Sequence, residues 1–136
     1  MTKDELIAEI RALASSYFTP DVLKAIETQI PDLTQEPGNT FVQVTTEGDT
    51  VRLEVAAILT NQLLDITYTG PLQRISAFPL KHIAGSILEE LANQTTSLSI
   101  LNTAGHILDY SASSERARDM LRTFAGAVTH RIKDGR

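Results

Sequence analysis

The stretch "AFPLKHIAGSILEEL", residues 77–91, decides the fold because it fits two different secondary structures. Its apolar residues recur at helical spacing: Leu80, Ile83, Ile87 and Leu91. Pro79 suits the first turn of a helix, whereas Gly85 in a helix interior costs about 1 kcal/mol relative to alanine. The stretch therefore predicts either a turn followed by a strand at 86–91 or one helix over 79–92.

Two short helices are predicted in the N-terminal part of the chain. Thr2 and Glu5 form a capping-box pattern, followed by apolar residues at helical spacing: Leu6, Ile7, Ile10, Leu13 and Tyr17. Thr19-Pro20 starts a second helix, which Pro31 ends at Ile30. We interpret residues 1–36 as a helical segment ahead of an α+β part at 37–136, within one compact domain.

From Phe41 the apolar period changes from 3.6 to 2, which predicts strands. "FVQVTT", "VRLEVAAIL" and "LLDITYT" alternate and are separated by the turn sequences "EGDT" and "NQ". "LQRISAF", after the breaker Gly70-Pro71, is a fourth strand.

Downstream of residue 91, the sequence predicts a hairpin and a long helix. "TTSLSILNTAGHILDYSAS" reads as two strands joined by the four-residue loop "NTAG". Ser113 or Ser114 then caps a helix with a long apolar stripe: Ala117, Met120, Leu121, Phe124, Ala125, Val128 and Ile132.

Composition excludes several functional classes. The chain has 136 residues and no cysteine, which excludes disulfides and thiolate chemistry. Its net charge is −5, with three basic and nine acidic residues in 1–50, so nucleic-acid binding is not expected. No apolar run approaches the roughly 20 residues of a membrane helix, and no secretory segment is recognisable at the N-terminus. We expect a cytoplasmic protein.

The sequence offers no constellation for catalysis, cofactor or metal binding. His82, His106 and His130 fall in three different predicted elements without metal-ligand spacing. No serine lies in a G-x-S-x-G elbow, and no glycine-rich loop suits a phosphate. We therefore expect a protein that is not an enzyme, with no catalytic residue, no cofactor and no metal.

Short motifs and their order carry a family resemblance. "ILTNQLLDI" (58–66) is followed by "FPLKHI" (78–83), then by "SLSILNTAGHILDYSAS" and the terminal helix. This order resembles bacterial pleckstrin-homology-like domains of the GRAM type. The resemblance implies an antiparallel, partly open barrel or curved sheet closed by a long C-terminal helix, with Leu80 and Ile83 in the core.

The loop between the first two strands departs from the lipid-binding members of that family. Such members place lysine and arginine there, whereas Thr45–Thr50 holds Glu47 and Asp49 and no base. Anionic headgroups would be repelled, so phosphoinositide binding is not expected. The resemblance then implies a protein-interaction or scaffold module. Arg74, Lys81 and His82 would form a partner-binding rim, and self-association as a homodimer stays open.

The alternative fold takes residues 79–92 as a helix, which the helix formers in "ILEELAN" favour. The chain would then be similar to the small, acidic, dimeric chaperones that hold an extended secretion substrate. Ile83, Ile87 and Leu91 would supply the dimer interface.

Overall fold

The structure, a computed structural model, describes residues 1–33, 38–70 and 72–134, with side chains described up to residue 132. It has an α+β fold with two antiparallel sheets of four and three strands, both open. Two helices precede the sheets and one long helix follows them, as the sequence predicted. Residues 34–37, which include the predicted boundary between 1–36 and 37–136, and Pro71 of the predicted breaker lie outside the described residues.

The N-terminal helices are α1 (Lys3–Ala14) and α2 (Pro20–Glu27). The predicted capping box is present, since Thr2 Oγ1 accepts from the Glu5 amide at 3.2 Å. Thr19 caps α2 in the same way. Both helices end three residues before the predicted positions, so Tyr17 lies beyond α1 and is 51% exposed rather than packed.

The four-stranded sheet has the order β1–β2–β3–β4 and is a simple meander. Its strands are β1 (Thr40–Glu47), β2 (Thr50–Ile58), β3 (Gln62–Thr69) and β4 (Leu72–Pro79). Each predicted strand is confirmed to within one residue at either end. Gly48, with φ of 60°, occupies the left-handed region that the tight β1–β2 turn requires.

The deciding stretch forms a short turn and a strand. Leu80–His82 is one 3₁₀ turn, and β5 (Gly85–Glu90) follows it. The strand prediction is confirmed, and the helix over 79–92, on which the chaperone-like alternative rested, is wrong. Leu80 and Ile83 lie in the core as predicted, but Ile87 points away from it and is 44% exposed.

The remaining elements are β6 (Thr96–Asn102), β7 (Gly105–Ala112) and α3 (Glu115–Asp134). β5, β6 and β7 form the second sheet in that order. The β6–β7 loop is two residues, not the predicted four, because Asn102 and Gly105 pair across it. Ser114 caps α3 by accepting from the Ala117 amide at 3.2 Å.

The four-stranded sheet separates two apolar cores because its strands alternate toward both faces. The inner core lies between the two sheets and α3, whose predicted stripe is buried there or packed against it. The outer core lies between the sheet and the N-terminal helices, with Leu6, Ile10 and Ile26 packed over Val55 and Ile66. Within the described residues, no helix combines the length and apolarity needed to cross a membrane.

Candidate functional site

A buried carboxylate lies on the inner face of the four-stranded sheet. Asp65, on β3, is fully buried, and its Oδ1 accepts from the Tyr110 hydroxyl of β7 at 2.7 Å. Its Oδ2 accepts from Thr67 Oγ1 at 3.3 Å and from Arg74 Nη2 at 3.4 Å. Burial, with the Asp65 charge beside it, raises the pKa of Tyr110 well above its ordinary value, so the hydroxyl stays a protonated donor.

A second buried carboxylate lies diagonally across the same face. Glu54, on β2, is 6% exposed and accepts from Gln43 Nε2 at 2.8 Å. Burial raises the pKa of Glu54, while the Gln43 hydrogen bond and the Arg52 guanidinium, 3.8 Å away, act in the opposite direction. Gln43 Nε2 also donates to the Ser111 carbonyl at 2.7 Å.

These buried groups form a polar cluster: Gln43, Glu54, Asp65 and Tyr110. The polar cluster joins the two sheets at the end of the inner core. Tyr110 connects β7 to β3, and Gln43 connects β1 to the chain at Ser111. Oxygens of both carboxylates accept hydrogen bonds from protein donors. Buried polar groups need such partners, so the arrangement suits a structural role. Arg74 and Arg52 reach in from the exposed side of the cluster, with side chains 61% and 45% exposed.

The sequence did not single out Glu54 or Asp65, although one signal pointed to them. Both interrupt strongly apolar strands at positions where the alternation places the side chain inward: "RLEVAA" and "LLDIT". A charged residue inside an otherwise apolar strand calls for a buried partner. The partner itself, Tyr110, lies 45 residues further along the chain and gives no local signal.

The three predicted rim residues do not form one cluster. Arg74 lies in the middle of β4 and is paired with Asp65. Lys81 and His82 lie in the 3₁₀ turn after β4, and both are exposed. Pro79 lies five positions beyond Arg74 along the strand, a distance of about 17 Å. The rim is therefore a line along β4 that ends at the turn, and its role in binding stays a prediction.

Two depressions flank the 3₁₀ turn, with volumes of about 550 and 420 Å³. Lys81 borders both, His82 borders the smaller, and Arg131 of α3 borders the larger. None of the described residues that line them is acidic. On a chain with net charge −5, this end of β4 is locally basic.

β4 is a free edge of the four-stranded sheet. In the described structure β4 pairs with β3 alone, whereas the other edge of that sheet, β1, is packed by α1 and α3. Leu72 is 75% exposed on one face of β4 and Ile75 is 48% exposed on the other. An exposed edge with apolar side chains is a template for pairing with another chain.

The histidines remain apart in the folded chain. His82 lies in the 3₁₀ turn, His130 lies in α3, and His106 lies on β7, with its Nδ1 3.1 Å from Asp109 Oδ1. Hydrogen bonds from Ser99 and then His106 lower the pKa of Asp109. Among the described residues, no group of three His, Asp or Glu side chains is arranged to hold a metal ion.

Comparisons of the chain with protein-family models, with curated proteins and with solved structures return no match.

Proposed function

We propose that this chain is a non-enzymatic, cytoplasmic protein-interaction module that receives an extended segment of a partner along the free edge of β4. The observation that carries the proposal is the eight-residue edge strand with Leu72 and Ile75 exposed on its two faces. A partner strand would gain main-chain hydrogen bonds to β4 and apolar contacts on alternate residues.

The element order supports a module of the pleckstrin-like type. The sheets are antiparallel and open, and a long C-terminal helix follows them, which agrees with the coarse outline that the resemblance implies. The tight β1–β2 turn offers Glu47 and Asp49 where an anionic headgroup would need bases. We therefore infer that the partner is a polypeptide and not a phosphoinositide.

The basic end of β4 favours a partner segment whose acidic residues lie near that end. Lys81 and His82 follow the strand directly, and neither is in an ion pair with another described residue. A partner strand with acidic residues near this end would be attracted to them, which mainly increases the association rate.

The proposal is tested by placing charge on the edge. In the double variant Leu72→Lys, Ile75→Lys, capture of a partner from the native lysate should fall at least about tenfold, because lysine on an edge strand opposes strand addition. Ile87→Lys is the matched control, since Ile87 is an equally exposed isoleucine on the edge strand β5.

Two further measurements make the outcome specific. Backbone amides of β4 should exchange more slowly in the purified complex, and vesicles containing a phosphoinositide should not sediment the chain. Equal capture by the edge variant and the wild type, or unchanged exchange in β4, would show that the partner binds elsewhere.

A further inference from the structure

A long open groove runs between α1 and α2 on the side of the molecule that carries the N-terminal helices. Its volume is about 940 Å³, and the 12 residues of α1 give it a length of about 18 Å. Half-buried Ile7 and Phe18 and buried Leu23 provide its apolar lining. Phe18 is held in place by an edge-to-face contact with Tyr68 of β3 at 5.3 Å.

The basic and acidic side chains of residues 1–50 are distributed unequally around this groove. Residues 1–50 contain three bases, Lys3, Arg11 and Lys24, and all three line it. Of the eight acidic residues in the described part of this segment, only Glu27 lines the groove. Residues 1–50, with a net side-chain charge of −6, thus place all of their lysine and arginine side chains around one groove.

The single acidic side chain that lines the groove, Glu27, is already paired with the Arg11 guanidinium. Arg11 Nε and Nη2 donate to the two oxygens of Glu27 at 2.6 and 2.9 Å, which fixes α1 against α2. Lys3 and Lys24 make no ion pair with any described residue. The groove therefore combines an apolar floor with two uncompensated ammonium groups.

We propose that this groove binds an acidic amphipathic helix of a protein partner. An apolar stripe of such a helix would lie on Ile7, Phe18 and Leu23, and its flanking glutamates or aspartates would meet Lys3 and Lys24. Three turns of helix match the length of α1. The site lies on the N-terminal helices and does not depend on strand addition at β4.

The geometry favours a helix over the two other occupants. A fatty acid would need an enclosed apolar cavity, whereas this groove is open along its length and bordered by Ser15 and Thr28. A second copy of the chain offers no suitable helix among the described residues, because α1, α2 and α3 bury their apolar stripes in the two cores.

Two designed peptides of about 15 residues test the proposal on the full chain. They share one leucine stripe and differ only at the flanking positions, which are glutamate in one and lysine in the other. Fluorescence anisotropy should detect binding of the acidic peptide alone, weakened by added salt. The double variant Lys3→Glu, Lys24→Glu should weaken it about tenfold and should gain affinity for the basic peptide.

Three controls locate the binding. Lys81→Glu, at the basic end of β4, and the β4 edge variant should both leave the acidic peptide bound as in the wild type. Backbone amide NMR shifts should move for groove residues of α1 and α2. The proposal would be overturned by equal affinity for both peptides, or by unchanged affinity of the Lys3→Glu, Lys24→Glu variant for the acidic peptide. Displacement of the peptide by laurate, or loss of a dimer in that variant, would also overturn it.

Discussion

At the scale of single residues, the inner polar cluster shows how two buried carboxylates are retained in an apolar fold. Asp65 is surrounded by donors from three different strands, and the strongest by distance is the Tyr110 hydroxyl. A buried acceptor that loses such a donor keeps its desolvation cost without compensation. The contribution of the cluster to stability is therefore concentrated in a few hydrogen bonds.

The variant Tyr110→Phe should destabilise the fold by about 1–3 kcal/mol, because it removes the 2.7 Å hydrogen bond to Asp65 and little volume. Urea unfolding at neutral pH measures the change. Tyr17→Phe is the control: this tyrosine is 51% exposed, and the change should stay within about 0.5 kcal/mol. Equal stability of the two variants would mean that Asp65 is satisfied without Tyr110.

At the scale of elements, α3 is attached to the edge of the second sheet by an ion pair and a hydrogen bond. Arg122 Nε and Nη2 donate to Glu90 at 2.6 and 3.2 Å, and Thr96 Oγ1 donates to the same carboxylate at 2.8 Å. Ser86 and Thr129 make a second link at 3.1 Å. These contacts hold α3 against β5.

This attachment predicts a pH dependence of stability. The hydrogen bonds from Arg122 and then Thr96 lower the pKa of Glu90 from 4.5 to about 2. The folded state thus holds this proton less tightly than the unfolded chain. The stabilisation is complete above about pH 4.5 and is lost as the pH falls toward 2.

In the variant Glu90→Gln, the fall in unfolding free energy between pH 4.5 and 2.5 should be smaller than in the wild type, as measured by urea unfolding across that range. Glu89→Gln is the matched control, since Glu89 is the exposed neighbour on the opposite face of β5. An unchanged slope for Glu90→Gln would show that the Arg122 pair does not persist in solution.

The sequence predicted most elements of this fold because their signals are local. The capping box at Thr2, the change of period at Phe41 and the serine cap before α3 each act within a few residues. The stretch 77–91 was ambiguous because "ILEEL" has helix propensity, and pairing with β6 overrides that propensity. The two-residue β6–β7 loop likewise follows from strand register.

The candidate sites were less predictable, since they depend on contacts between distant residues. The polar cluster needs Tyr110 beside Asp65, and the groove needs two helices side by side. The rim residues were identified by residue type alone, and only the structure shows that Arg74 is engaged by Asp65 while Lys81 and His82 lie beyond the strand.

At the scale of the whole molecule, the N-terminal helices are part of the structural unit. They cover the outer face of the four-stranded sheet, where a set of apolar side chains is buried: Val42, Leu53, Val55, Ala57, Leu64 and Ile66. Without the helices this face would be a contiguous exposed apolar patch, which drives association. The α+β part is therefore not expected to be stable alone.

A fragment of residues 38–136 should bind a hydrophobic dye, form large oligomers and unfold at a lower temperature than the full chain, because its outer sheet face lacks a cover. Size-exclusion chromatography and thermal unfolding measure these effects. Adding a peptide of residues 1–33 should restore the elution volume of the full chain, since α1 and α2 carry the complementary apolar surface. The same peptide with Leu6→Asp and Ile10→Asp should fail, because both residues are fully buried against the sheet. A monomeric fragment that unfolds cooperatively at the temperature of the full chain would instead mean that the helices are an accessory to the fold, and that the groove between them can be removed without disturbing β4.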